Sequence, residues 1–211
     1  MRFIETTMYW NEAHYFLERV RSALRYADLL VVSEAEDSLS QKVSRPFQVP
    51  GLVERLPTEL RRRVLFDPVD LKAHAGLDHF ERERVLRDHA FGRLKREGLV
   101  EPADLVLVQD FDEFLDPRAA PALRRWFWWP WRSYVFPTYA CSYYFLDYQI
   151  VHPRDHLRQR RQVAFRAGYG WDEGFSVHRL RNSRPKPFTR RLMGWHHSYL
   201  GGFDFIAEKV K

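Results

Sequence analysis

Three features of the sequence predict an α/β fold with a mostly parallel central sheet flanked by helices. Residues 1–35 read as strand, helix, strand. Two short apolar runs, LLVVSEA (29–35) and LVLV (105–108), are each followed at once by acids. A charged amphipathic helix lies between those runs. Continuous apolar runs of four to eight residues fit strands buried on both faces, as parallel strands are. Alternation of such strands with helices marks the α/β class.

Taken in order, RFIETTMY (2–9) is rich in strand formers and opens the sheet. Asn11 is placed to cap a helix whose apolar face is Tyr15, Phe16, Val20, Ala23, Leu24 and Ala27, and Asp28 ends it. Residues 29–35 then give a buried strand. Residues 36–60, with prolines at 46, 50 and 57, are expected to be loop, and 61–69 a strand stopping at Asp67-Pro68. From Asp78 to Glu97 a helix presents Phe80, Val85, Leu86, Ala90, Phe91 and Leu94, with Gly98 at the glycine stop. After LVLV the acids Asp110, Asp112 and Glu113 follow. A short helix is expected over 118–125. Two aromatic strands bent at Pro130 and Pro137 are expected over 126–151, loop with short strands over 152–192, and a turn into a helix from Gly194.

The chain has 211 residues with net charge +6, and its basic residues are 28 Arg against 6 Lys. That length suits one domain, 1–211, able to bury a core without disulfides. A single cysteine leaves no intramolecular disulfide and fits a reducing compartment. No apolar run is long enough to span a bilayer, and the N-terminus lacks a signal-peptide pattern. Arginine suits phosphate and carboxylate, and aromatics suit sugars or bases. A GC-rich genome and an ordinary aromatic core would give the same composition.

The sharpest motif is Asp110-Phe111-Asp112-Glu113 at the carboxyl end of a buried strand, where ligands of open α/β sheets bind. Alternation in an extended chain sends Asp110 and Asp112 to one side. Hard oxygen donors so placed suit Mg²⁺ or Mn²⁺ bridging to phosphate; a solvated acidic turn is the alternative. Gly194-Trp195-His196-His197 adds imidazoles, of which alternation lets at most one reach such a site. Trp126, Trp128, Trp129 and Trp131 form either a platform for an acceptor sugar or a packed seam.

The colinear blocks MYWNEAHYFLERV, ADLLVVSEAEDSLSQK, ERERVLRD, VLVQDFDEFLDP, YACSYYFLDYQ and MGWHHSYLGGFDFIAEKV resemble glycosyltransferase family 17. The resemblance implies a GT-A-type nucleotide-sugar-binding fold and metal-dependent, inverting transfer of a sugar, GlcNAc by family expectation, from a UDP-sugar to a hydroxyl of a glycan acceptor. It implies Asp112 as main ligand of Mn²⁺ or Mg²⁺, Asp110 at the ribose or the metal shell, and His197, or else His196, as a further ligand. Arg87 would face the pyrophosphate, and Asp88, Asn11, Glu12 and Glu34 would lie near the nucleotide. An inverting displacement needs a carboxylate base; Glu113 or Asp204 is expected, with Asp147 and Asp172 as further choices. Trp128 and Trp195 are the expected acceptor contacts.

Relatives in the secretory pathway are membrane-anchored and carry more cysteines, so a bacterial or phage-encoded cytoplasmic protein, peripheral to a membrane at most, is expected here. The family runs on beyond the position of Lys211, which leaves either a minimal domain or one lacking a closing segment. A Mg-dependent nuclease or basic nucleic-acid-binding protein is the rival reading. The arginines are spread along the chain and no nucleic-acid motif occurs, so no nucleic-acid partner is expected. An inactive GT-A scaffold is the third reading.

Overall fold

The structure is a computed structural model that describes residues 1–129, 131–143, 158–159, 162–183 and 187–198. Its elements in chain order are β1 (Phe3–Tyr9), α1 (Phe16–Ala23), β2 (Leu29–Ala35), α2 (Val49–Glu54), α3 (Thr58–Arg61), β3 (Val64–Val69), α4 (His79–Arg96), β4 (Leu105–Asp110), β5 (Glu113–Leu115), α5 (Ala120–Trp126), β6 (Tyr134–Tyr143), β7 (Arg158–Gln159), β8 (Val163–Arg166), α6 (Val177–Asn182) and β9 (Phe188–Ser198). The sheet runs β3-β2-β1-β4-β8-β6-β9-β5, with β7 on β6. Strands β3, β2, β1 and β4 are mutually parallel. From β4 outward the sheet is mixed: β8 is antiparallel to both β4 and β6, β9 is parallel to β6, and β5 is antiparallel to β9.

Helices cover the parallel half because its strands are apolar on both faces. From α1, Phe16, Val20 and Ala23 pack with Leu30, Val32 and Phe111. From α4, Ala90, Phe91 and Leu94 pack with Ile4, Val31 and Val106. Full burial of each large apolar side chain contributes about 1.5–3 kcal/mol before chain entropy is set against it. Asp78 begins α4 with a capping box to Glu81, and Gly98 follows its end at φ +66, the conformation a helix C-terminus needs there.

Several expectations change. Asn11 caps no helix: a 3-10 turn at Ala13–Tyr15 precedes α1, and Tyr15 is its N-cap. Residues 36–60 are not all loop, because Pro50 falls in the first turn of α2, where its missing N–H costs nothing. Strand β3 continues through Pro68, which an edge strand tolerates. Phe80 is 70% exposed and leaves the apolar face of α4. Strand β6 passes through Pro137, and its pairing with β9 shifts register between Phe136 and Thr138, while Pro130 and residues 144–151 of the expected pair fall outside the described residues. Gly194 to Ser198 lies inside β9 rather than in a turn, and the helix expected after it falls outside the described residues. A Cβ on Gly194 would collide with the Phe114 carbonyl and the Tyr139 ring, so glycine is what lets β5 approach β9.

The N-terminal end of β1 is tied to the start of β4 by Asp104. Its carboxylate accepts from the Arg2 amide (2.7 Å), Arg2 Nε (3.0 Å), Arg2 Nη2 (2.8 Å) and the Glu101 amide (3.0 Å). Burial works against the charge, but the hydrogen bonds from Glu101 and Arg2 outweigh it and hold the carboxyl below its ordinary range. A depressed carboxyl adds stability above its unfolded pKa and loses it as pH falls through the folded one. Asp104→Asn is therefore expected to cost about 1–3 kcal/mol at pH 7. In urea unfolding curves the gap to the unmodified chain should narrow below about pH 4; an equal gap at pH 7 and pH 3 would refute the linkage.

Candidate active site

The carboxyl ends of β1, β2, β3 and β4 lie along one edge of the sheet, and the candidate residues gather there around Asp110, the last residue of β4. Two guanidinium groups grip Asp110 from different helices. Arg87 of α4 donates to Oδ1 at 2.6 Å and to Oδ2 at 3.3 Å. Arg181 of α6 donates to each oxygen at 3.0 Å and reaches Glu113 Oε1 at 3.4 Å. Arg87 is held in turn by Glu83, one helical turn away, at 2.6 Å and 3.0 Å. Both arginines are buried, while the Asp110 side chain keeps 26% of its surface open.

The chain turns at Phe111-Asp112, so strand alternation does not carry on from Asp110. Glu113 closes this turn by accepting the Asp110 amide at 2.6 Å. It is fully buried, and burial followed by the Asp110 charge raises its carboxyl to about 8. Its geometry braces the turn and does not present it to a substrate, which removes the physical basis for expecting it as the base. Asp112 faces His196 Nε2 at 3.4 Å, and His196 Nδ1 lies 3.9 Å from Cys141 Sγ. Burial disfavours the protonated His196 ring, but the Asp112 and Cys141 contacts outweigh it and push its pKa up to about 11. Neighbouring His197 lies beside the Phe114 ring, and burial and the His196 charge lower its pKa against the opposing pull of Asp112.

The other expected nucleotide contacts shape the edge. Glu12 accepts the Trp10 and Asn11 amides at 2.8 Å and 3.0 Å and folds the loop after β1 onto itself. Glu34 accepts the Gln48 and Val49 amides at the start of α2. Asn11 accepts from Arg45 at 2.8 Å, and the Arg45 guanidinium lies 4.1 Å from the Trp10 ring centre. Asp88 takes the Ser176 hydroxyl (2.6 Å) and the His178 amide (3.0 Å), so it anchors the start of α6. That anchoring delivers Arg181 to Asp110. Sequence reasoning missed Arg181; the available signal was Ser176 as N-cap of V-H-R-L-R, obscured by the surrounding arginines.

Trp195 lines a hollow of about 310 Å³ with Tyr15, Ser22, Phe114 and His197. Tyr15 is within electrostatic reach of Glu12 and Asp112, so this aromatic hollow borders the acidic turn. Trp128 is elsewhere. Helix α5 runs to the opposite edge of the sheet, where Arg124 donates to the Met1 carbonyl at 3.0 Å. Asp204 and Asp147 lie outside the described residues.

The donor set decides how a divalent cation could fit. Both oxygens of Asp110 are already engaged by guanidinium groups. Among the described residues no three His, Cys, Asp or Glu side chains form a ligand group. Mg²⁺ and its like are often held by one or two carboxylates, with water and phosphate oxygens completing the shell. On that chemistry Asp112 fits as a single-carboxylate ligand, whereas Asp110, held by two guanidinium groups, does not.

No protein-family model and no curated protein sequence matches the chain. Solved structures do. A 4-diphosphocytidyl-2C-methyl-D-erythritol synthase aligns at TM-score 0.51 and 13% identity, covering 100% of this chain and 98% of its own. Residues 1–349 of TarS from S. aureus align at TM-score 0.50 and 11% identity, over 93% of this chain. The same TarS fragment in complex with UDP-GlcNAc aligns at TM-score 0.51 and 10% identity, over 96%.

The fold is GT-A-like. This chain spans 60% of the TarS fragment, and the low identities carry the architecture, not the residues. The strand-end edge just described is the position at which open α/β sheets as a class bind ligands, in a crevice outside the strand ends.

Proposed function

We propose that the chain is a glycosyltransferase moving a sugar from a UDP-sugar, GlcNAc by the family 17 resemblance, to a hydroxyl of a saccharide. The observation that carries this reading is the convergence of Asp110, Asp112, Arg87 and Arg181 at the end of β4, in a fold shared with a TarS fragment that holds UDP-GlcNAc. The kinship with family 17 suggested by the colinear motifs is part of the same proposal.

The acceptor oxygen attacks the anomeric carbon, the bond from that carbon to the diphosphate oxygen breaks, and UDP leaves with the electron pair. The acceptor proton passes to a carboxylate, and the anomeric configuration inverts. Asp112 would hold Mn²⁺ or Mg²⁺, which when bound would neutralise charge on the departing diphosphate. Arg87 and Arg181 orient Asp110 and add fixed positive charge beside it. Glu113 keeps the turn closed and is a positioning residue. Asp204 stands as the candidate base. The hollow bordered by Trp195 and Tyr15 supplies an aromatic face for the acceptor sugar.

Saturating UDP with Mn²⁺ should raise the melting temperature by about 5–10 °C at a hundredfold excess over Kd. Asp112→Ala should abolish the metal-dependent part. A shift with oligonucleotides and none with UDP would sink the proposal. The near-complete overlap with the cytidyl synthase favours one second reading, nucleotidyl transfer. A larger shift with CTP than with UDP would favour it.

A further inference from the structure

The tryptophan cluster has no part in the crevice. Trp128 is 80% exposed, Trp131 71% and Trp129 51%, all just beyond the end of α5. These side chains are neither a packed seam nor neighbours of the strand ends. Arg124 binds the Met1 carbonyl, Arg166 Nη2 binds the Phe127 carbonyl, and Arg166 pairs with Leu105, the first residue of β4. The cluster thus sits at the amino-terminal edge of the parallel strands. Asp110 lies a strand length away, roughly 17 Å at 3.3 Å per residue.

Of the four arginines between Pro117 and Leu146, Arg118 pairs with Asp116 and Arg124 with Asp28. Arg125 and Arg132 join Trp126, Trp128 and Trp129 around a shallow hollow of about 540 Å³, and the Arg132 guanidinium lies 4.2 Å from the Trp126 ring centre. Bulky indoles prefer the headgroup level of a bilayer, where the ring body meets acyl chains and the N–H stays wet. Arginines beside them pair with anionic headgroups, and the two contributions together give a surface anchor. No helix among the described residues is long and apolar enough to cross a membrane, so the contact is one of surface.

We propose that Trp128, Trp129 and Trp131, with Arg125 and Arg132, dock the protein on an anionic lipid bilayer. Docked this way, the strand-end crevice opens to the aqueous side. The inference stands whether or not the site transfers a sugar.

The test is co-sedimentation of the full chain with vesicles of phosphatidylcholine containing 30% phosphatidylglycerol, and with phosphatidylcholine alone, read together with tryptophan emission. Binding to the anionic vesicles with a blue shift, weakened by raised salt, is expected. Arg125→Gln with Arg132→Gln should lower the partition coefficient about thirtyfold. Trp128→Ser with Trp131→Ser should lower it about tenfold or more. All four side chains are surface groups, and an unchanged melting temperature confirms folding. No binding to anionic vesicles, equal binding by the variants, or a variant-sensitive dimer in sedimentation velocity with no lipid binding would each overturn the proposal.

Discussion

Arg19→Ala is expected to destabilise the fold by about 3–5 kcal/mol, because it strands a buried carboxylate. Arg19 and Glu5 are both completely buried and form an ion pair, and Arg19 Nε donates to the Phe111 carbonyl at 3.0 Å. Glu5 also accepts the Tyr26 hydroxyl and Gln109 Nε2, and Tyr139 donates to Gln109 Oε1 at 2.8 Å. One polar chain therefore joins α1, β1, β4 and β6 beneath the acidic turn. Removing both charges differs from removing one. Glu5→Gln with Arg19→Met keeps an acceptor for Gln109 and offers its amide N–H to the Tyr26 hydroxyl, and should lose less than half of the single-variant cost. Urea unfolding of the two variants decides it. If the double variant is as unstable as Arg19→Ala, the cost is one of packing and not of an unpaired charge.

The parts of the fold legible in the sequence are those where local signal and burial agree. Residues 29–35 form a strand as expected because every position there is apolar except Ser33, which donates to Asp67 of β3, and Glu34, which accepts the amides at the start of α2. The β1-α1-β2 unit and α4 were legible through helical spacing. The β5–β9 pairing was not: β5 has three residues, and its partner is some eighty positions later, so no local pattern announces it. That pairing decides the histidines. Glu113 opposite His196 fixes which imidazole faces Asp112, a choice alternation alone leaves open. The acids of the candidate site were visible as a cluster, but their partners were not. Arg181 reaches Asp110 across 71 positions of sequence, and Asp88 and Glu34 serve helix starts that only tertiary structure creates.

Arg181→Ala is expected to lower UDP release from a UDP-sugar about hundredfold, the usual scale for losing one fixed charge beside a reacting group. It leaves Asp110 with Arg87 alone and takes the guanidinium from Glu113. Arg181→Lys should recover only part of the loss, because an ammonium cannot match both carboxylate oxygens as the planar fork does. Asp88 acts through Arg181: its carboxylate holds Ser176 and the His178 amide, and so sets where α6 begins. Asp88→Ala should therefore slow turnover as well, and in the Arg181→Ala background it should add almost nothing. A merely structural role for Asp88 would give additive losses in that cycle. Unchanged turnover in Arg181→Ala, with UDP still bound, would remove α6 from the site and leave Arg87 as the one arginine that matters to Asp110.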